Sequence, residues 1–79
     1  MHFGGALEAL KEGCAVQRDG WNGKDMYLEL QEPDEESYMT LPYISMLTAS
    51  GDLVPWVASQ TDVLANDWHI IELLDEESE

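Results

Sequence analysis

Residues 3–18 read FGGALEALKEGCAVQR, and their pattern changes from helical to strand-like at Gly13. The spacing i, i+3, i+4, i+7 of an amphipathic helix fits four apolar side chains, Phe3, Ala6, Leu7 and Leu10. Gly13 is a typical helix stop, because glycine enters the left-handed conformation at little cost. The segment predicts a helix over residues 3–12 that packs on a core, followed by a short strand over residues 15–18.

Strand patterns and turn residues fill most of the remaining chain. The strand-like segments are residues 26–31, 39–48, 53–57 and 68–73. Ser50-Gly51-Asp52 predicts a hairpin turn, and Pro42 predicts an edge position or a strand start. Ser59-Gln60-Thr61-Asp62 has the spacing of a capping box, which predicts a short helix over residues 63–65. The expected fold class is α+β: an N-terminal helix plus a small antiparallel sheet of four to five strands, with one short helix before the last strand.

The length and the single cysteine limit how the chain can be stabilised. Residues 1–79 are expected to form a single ligand-binding domain, with an acidic, frayed tail at about 73–79. A core of this size is marginal, and neither an intrachain disulfide nor a Cys/His metal cluster is available. Oligomerisation is therefore the expected means of stabilisation. No apolar run has the length of a membrane span and the start lacks a signal-peptide pattern, so a cytoplasmic protein with no membrane contact is expected.

The net charge of −14 is unevenly distributed along the chain. The three basic residues are Lys11, Arg18 and Lys24, whereas residues 32–79 contain twelve acids and no base. A track of phosphate contacts along nucleic acid needs many basic side chains, so no nucleic-acid partner is expected. The acids either keep the protein soluble or mimic nucleic acid to block a DNA-binding protein. Distant acids are screened by salt, so Arg18 and Lys24 are expected to make a local pocket positive.

Candidate catalytic residues are few. Cys14 and His69 could be proposed as nucleophile and base, but the sequence favours a small core cysteine and an edge-strand histidine. No phosphate-binding loop and no zinc spacing occurs. The sequence therefore predicts no catalytic residue, no metal, no cofactor and no enzymatic activity; a hydrolase would lack a convincing base.

Two tryptophan-containing segments carry the predicted ligand site. Trp21 lies between Asp19-Gly20 and Asn22-Gly23, two turn pairs that favour positive φ and tight reversal. Its neighbours Asn22, Gly23 and Lys24 offer an amide, a bare backbone and a cation, while the indole offers a stacking face for a nucleobase. The alternative is a tryptophan that caps the turn and folds back onto the core.

The second segment has a similar composition at a predicted helix start. It contains Trp56, Ser59, Gln60, Thr61 and Asp62. Helix N-termini attract anions, although an ordinary capping box explains the same residues. Trp68 is predicted to be core. Tyr38 and Tyr43 are expected to line either the site or a subunit contact.

Several motifs together resemble one protein family. They are Phe3-Gly4-x-Ala6-Leu7-x-x-Leu10, Gly20-Trp21-Asn22-Gly23-Lys24, Met26-Tyr27-Leu28 and Val54-Pro55-Trp56-Val57-Ala58-Ser59-Gln60-Thr61-Asp62-x-Leu64-Ala65-x-Asp67-Trp68. In this order, and over nearly the whole chain to about Ile71, they resemble the Thoeris anti-defence type II proteins of bacteriophages. Asp25 departs from the pattern, since many relatives have glycine after the lysine.

The resemblance implies a molecular sponge in the infected bacterial host cell. Such proteins bind a cyclic ADP-ribose-type immune signal without cleaving it, and so keep it from the Thoeris effector. The resemblance further implies a homotetramer with pockets at subunit contacts, and in some members binding of cyclic nucleotides. Carried over by motif, the pocket residues are Trp21, Asn22, Gly23, Trp56, Ser59, Gln60, Thr61 and Asp62, to which the local chemistry adds Lys24.

Overall fold

Helix α1 (Phe3–Lys11) begins the fold in the computed structural model, which describes residues 1–21, 25–36 and 38–72. The ring of His2 caps the helix by accepting a hydrogen bond from the Gly5 N–H at 3.3 Å. At the other end Gly13 has a φ of +94°, so the predicted glycine stop is confirmed. The helix buries Ala6 and Leu10 of the predicted stripe, with Phe3 and Leu7 half-buried, and it also buries Ala9, which the stripe did not include.

Five antiparallel strands form one sheet in the order β4-β3-β2-β1-β5. They are β1 (Ala15–Arg18), β2 (Tyr27–Gln31), β3 (Tyr43–Leu47), β4 (Leu53–Pro55) and β5 (Trp68–Ile71). A second helix, α2 (Gln60–Leu64), precedes β5. The predicted α+β class is confirmed, with five strands and the short helix directly before the last of them.

The strand ends are shorter than the sequence predicts. Residues 39–42 are not strand, because β2 and β3 stop pairing at Gln31 and Tyr43 and because Pro42 has no N–H to donate. Pro42 thus marks the strand start. Strand β4 ends at Pro55, although the Trp56 N–H still donates to the Ile44 carbonyl at 2.9 Å. Strand β5 ends at Ile71, and the tail at 73–79 lies outside the described residues.

The β3–β4 turn and helix α2 agree with the sequence prediction better than the strand ends do. Gly51 has a φ of +94° and its N–H donates to the Thr48 carbonyl at 2.9 Å, so the hairpin turn between β3 and β4 is confirmed. Helix α2 starts at Gln60, three residues earlier than predicted, because the first turn of the capping box is itself helical. Ala65 is its C-cap.

The core lies between α1 and one face of the sheet. Opposed residues of antiparallel strands share a face, so the pairs Val16–Leu28 and Leu28–Met46 lie on the same side. Helix α1 contacts β1, β2 and β5 from that side. The fully buried members of the core cluster are Ala6, Leu10, Val16, Leu28 and Trp68.

The other face of the sheet has no helix packed on it within the described residues. The register places one row of side chains across it, in the order Leu53, Leu47, Tyr27, Gln17 and His69. In the part of the chain that the structure describes, no helix has the length and apolar character needed to cross a membrane.

Candidate functional site

The end of β1 and the start of β5 bring the two tryptophan segments together. Arg18, the last residue of β1, is paired with Trp68, the first residue of β5. Because these strands are antiparallel, the loop that leaves β1 must lie beside the segment that enters β5. The first of these carries Trp21, and the second includes α2 and its capping box. Segments more than 40 positions apart in sequence thus share one end of the sheet.

Trp68 is the centre of an aromatic cluster at this end. Its side chain is only 1% exposed, which confirms the predicted core role. The ring centroid of Trp21 lies 5.4 Å from that of Trp68 at an interplanar angle of 78°, and that of Trp56 lies 6.1 Å away at 83°. Both are edge-to-face contacts, which aromatic rings favour. Phe3 of α1 adds a third contact at 5.4 Å.

The half-buried Trp21 and Trp56 therefore have a packing role, as one of the two interpretations of Trp21 predicted. Trp21 folds back onto the core instead of standing free between its turns. This packing fixes the position of an indole that is still partly exposed, so it is compatible with a ligand on the remaining surface. The ligand role of both side chains stays a prediction.

An ion-pair network beside the aromatic cluster centres on Arg18. Its Nη1 donates to Asp62 Oδ1 and its Nε to Asp67 Oδ1, both at 2.8 Å. The Arg18 and Asp62 side chains are each 15% exposed, and that of Asp67 is 29% exposed. Charge-assisted bonds of this length are about twice as strong as neutral ones. The network binds the end of β1 to α2 and to the residue before β5.

These contacts determine the protonation states of Arg18, Asp62 and Asp67. Hydrogen bonds from Arg18 and from the Gly20 N–H lower the pKa of Asp67. Partial burial acts to raise the pKa of Asp62, but hydrogen bonds from Arg18, Ser59 and Trp21 outweigh it and leave that pKa below its ordinary value. Bonds to Asp67 and then Asp62 raise the pKa of Arg18. At neutral pH the three groups are charged and carry a net charge of −1.

The prediction that Arg18 makes the pocket positive is therefore wrong. Two carboxylates at 2.8 Å offset its charge, and the guanidinium donates to both. Sequence spacing could not show this, because the partners lie 44 and 49 positions away. Of the two cations invoked for the pocket, Lys24 is left, and it lies outside the described residues.

Gly20 lies against this network. The turn predicted at Asp19-Gly20 is present, since the Trp21 N–H donates to the Arg18 carbonyl at 3.3 Å, but Gly20 has no positive φ. The space around this position favours glycine for a different reason. A Cβ on Gly20 would lie 3.1 Å from Asp67 Oδ2 and 3.2 Å from Arg18 Nη2, and the Gly20 N–H donates to the same Asp67 oxygen at 3.0 Å.

The capping box of α2 is confirmed in both directions. The Asp62 N–H donates to Ser59 Oγ at 3.1 Å, and the Ser59 N–H donates to Asp62 Oδ2 at 3.4 Å. These two amides are therefore occupied, and the Asp62 carboxylate places a negative charge at the helix start. Both features weaken the idea of an anion site there. Gln60 and Thr61 are exposed in the same turn and are open to a ligand.

The predicted site residues are thus brought together in part. Trp21, Ser59 and Asp62 are linked, because the Trp21 Nε1–H donates to Asp62 Oδ1 at 3.4 Å. Trp56 lies on a different side of Trp68. The predictions for Asn22, Gly23 and Lys24 concern positions outside the described residues. From the sequence, Gly20 had only a turn role in the first segment and Asp67 had no site role; both lie within the resembling motifs, which were the available signal.

Two concave regions lie elsewhere on the described surface. One, of about 510 Å³, is on the open face of the sheet, beside Asp25, Tyr27 and the β3–β4 hairpin. The other, of about 550 Å³, is bordered by Lys11 of α1, Tyr43 and Trp56. Neither contains residues from both tryptophan segments. Tyr43 therefore lines a cavity, whereas Tyr38 is fully exposed.

Cys14 and His69 do not form a nucleophile–base pair. The ring nitrogens of His69 lie 3.0 Å from Asp19 Oδ1 and 3.2 Å from Gln17 Oε1, so both are engaged by residues other than Cys14. Cys14 is half-buried against the core cluster. Among residues 1–21, 25–36 and 38–72, no group of three or more His, Cys, Asp or Glu side chains is arranged to hold a metal.

Sequence comparison places this small α+β protein, with its paired tryptophan segments, in a defined class. The model of the Thoeris anti-defense 2-like domain matches residues 1–71, which include both segments and all five strands. The chain is also similar to Thoeris anti-defense 2 of Bacillus phage SP01, with 44% identity over 90% of this chain and 94% of that protein. The chain belongs to the Thoeris anti-defense 2-like family.

Proposed function

We propose that this protein binds and sequesters a cyclic ADP-ribose-type (glycocyclic ADP-ribose) immune signal without cleaving it, and thereby blocks activation of the Thoeris effector. Family membership over residues 1–71 is the observation that carries the proposal, since it supports an anti-defence role. The name of the phage relative refers to the same defence. We propose that one ligand-binding domain does this in the cytoplasm of an infected bacterial cell.

The geometry supports the predicted ligand residues as a set. Trp21 contacts Asp62 in the first turn of α2, which Ser59 caps and which also contains Gln60 and Thr61, and Trp56 joins this group through its ring contact with Trp68. We propose that these residues, with Asn22, Gly23 and Lys24, contact the signal. The partly exposed indole of Trp21 would stack on a base, and the exposed Gln60 and Thr61 would donate and accept hydrogen bonds.

Affinity arithmetic favours a pocket built from both segments. Nanomolar binding requires about 12 kcal/mol, whereas one stacked base contributes about 1–3 kcal/mol. Several hydrogen bonds and phosphate contacts are therefore needed. Because Arg18 is neutralised by its own carboxylates, the phosphates would be received by Lys24 and by main-chain N–H groups.

We propose that a second copy completes the pocket in a homo-oligomer, a tetramer as the family resemblance implies. Neither described cavity combines both tryptophan segments. Val57, within the second segment, and Leu64, just after it, are 88% and 78% exposed although both are apolar. Exposed apolar side chains beside a ligand-binding segment are typical of a surface that another subunit covers. We also propose that the same oligomer binds other cyclic nucleotides.

The charge of −14 supports a second candidate, an inhibitor that mimics nucleic acid. In that case the carboxylates of residues 29–36 and the tail would make the contact, and the tryptophan segments would be structural. Two sets of variants separate the candidates. Asn22→Ala and Gln60→Ala should abolish inhibition of the effector if sequestration is correct, while Glu35→Gln and Glu36→Gln should leave inhibition unchanged. The reverse pattern would establish mimicry.

The assay measures signal-dependent activity of a purified Thoeris effector against increasing concentrations of this protein. Circular dichroism of each variant provides the folding control. Sequestration predicts that inhibition saturates at a fixed ratio of protein to signal, because each site holds one molecule. Inhibition that depends on the effector concentration, and not on the signal concentration, would refute the proposal.

A further inference from the structure

We propose that Arg18 is a positioning residue for the ligand site, which locks the two tryptophan segments in one geometry and does not itself bind the ligand. This inference rests on the proposed function for its ligand and on the described contacts for its geometry. Three segments meet at the guanidinium: the end of β1, the first turn of α2 and the residue before β5.

The shape of the guanidinium explains why it can fix these segments. Nη1 donates to Asp62, while Nε and Nη2 donate to the two oxygens of Asp67 at 2.8 and 3.4 Å. Because the donors of arginine lie in one rigid plane, the positions of both carboxylates are set together. An ammonium group carries the same charge but has no such fork. Charge alone would therefore not reproduce the arrangement.

Both acceptors also hold the Trp21 loop. Asp62 Oδ1, which receives Arg18 Nη1, also accepts the Trp21 Nε1–H at 3.4 Å. Asp67 Oδ2, which receives Arg18 Nη2, also accepts the Gly20 N–H at 3.0 Å. The indole and the backbone before it are thus held by carboxylates that Arg18 orients. A side chain fixed before the ligand arrives loses less entropy on binding, which increases affinity.

A positioning role and a phosphate-binding role make opposite predictions for Arg18→Lys. If Arg18 attracted the phosphates of the ligand by its charge alone, lysine would largely replace it, and the Trp21 indole resonance would stay in place. If Arg18 acts by its geometry, lysine should weaken binding although the net charge of the protein is unchanged. Asp67→Asn provides a second test, because it removes one half of the network and leaves the Arg18–Asp62 pair.

The experiment combines calorimetry with purified glycocyclic ADP-ribose and NMR of ¹⁵N-labelled protein. The indole N–H resonances are assigned with Trp21→Phe and Trp56→Phe. Ala9→Gly is the matched control, since it weakens α1 and the core without contacting Arg18. The Trp56 indole is the internal reference within each spectrum.

We expect Arg18→Lys and Asp67→Asn to weaken binding about tenfold or more, because the Trp21 side chain is then no longer fixed before the ligand arrives and loses more entropy on binding. Both should shift or broaden the Trp21 indole resonance and leave that of Trp56 in place. Ala9→Gly should lower the unfolding midpoint with little change in either readout. Arg18→Lys with wild-type affinity and an unchanged Trp21 resonance would overturn the inference and leave the proposed function intact.

Failure of the proposed function gives a different result. In that case the wild-type protein does not bind the signal, and the ligand part of the inference falls with it. The Trp21 resonance of Arg18→Lys then still decides whether Arg18 holds the tryptophan. A normal resonance would refute that part as well.

Discussion

Replacing Asp62 by asparagine should lower the free energy of unfolding by about 2 kcal/mol at pH 7. Asp62 accepts three side-chain or backbone hydrogen bonds through its carboxylate: one from Arg18 at 2.8 Å and two at 3.4 Å from Trp21 and Ser59. The bond at 2.8 Å is the strong one, and a bond to a charged group contributes roughly 1.5–3 kcal/mol. Bonds at 3.4 Å add little. Asparagine is nearly isosteric, so it removes the charge and leaves no cavity.

The pH dependence of this difference separates the charge from other effects of the substitution. The pKa of Asp62 is lowered in the folded state, so its stabilising contribution is present above the unfolded-state value of about 3.9. It is lost as the pH falls through the folded-state pKa. Wild type and Asp62→Asn should therefore differ fully from pH 5 to pH 7. The difference should shrink below about pH 4 and vanish once the pH is below the lowered folded-state pKa.

Urea unfolding followed by tryptophan fluorescence measures both quantities. Every sample is compared at the same protein concentration, because subunit association would add to the apparent stability. A loss of about 2 kcal/mol corresponds to roughly 8–16 °C in Tm for a chain of this size. Glu36→Gln makes the same charge change in an exposed loop and should leave the midpoint unchanged. A stability difference under about 0.5 kcal/mol at pH 7, or one that does not shrink as the pH falls below about pH 4, would refute the reasoning about the Arg18–Asp62 pair.

Three further substitutions test other parts of the structure. Trp68→Ala removes the buried centre of the aromatic cluster and should cost about 3–5 kcal/mol, so far-UV circular dichroism should show little folded protein; a melt within a few degrees of wild type would contradict this. Gly20→Ala places a methyl group 3.1 Å from Asp67 and should lower the urea midpoint by the equivalent of about 1 kcal/mol, whereas an unchanged or higher midpoint would show that the turn gives way freely. Leu64→Glu changes an exposed side chain and should shift sedimentation equilibrium towards the monomer without loss of helix signal, and an unchanged mass would remove that surface from the proposed subunit contact.

Local patterns in the sequence predicted most of the fold. The apolar spacing of residues 3–10, the glycine stop at Gly13 and the capping box at Ser59 depend on residues three or four positions apart, and all three are confirmed. The strand at 39–48 was too long, because the end of a strand is set by its partner. Residues 39–42 are apolar enough for a strand but have no opposite residues in β2.

The candidate site was harder to predict, because its contacts are long-range. Trp21 and Asp62 are both predicted site residues, but their direct contact depends on the pairing of β1 with β5. The same pairing brings Asp67 to Arg18 and changes Arg18 from a free cation into a neutralised one. Gly20 illustrates the limit of turn propensity. The turn pattern explained this glycine by positive φ, but Gly20 has no positive φ, and the close approach of Asp67 favours glycine instead.

Sequestration is tested most directly by recovering the ligand from its complex. The protein is incubated with glycocyclic ADP-ribose, free ligand is removed, and the complex is heated until the protein unfolds. The supernatant is then analysed by mass spectrometry and added to the Thoeris effector. Release of intact signal that activates the effector, in a fixed ratio to the protein, is the predicted result. Recovery of a cleaved product would make the protein an enzyme, and recovery of nothing would show that the signal is not its ligand.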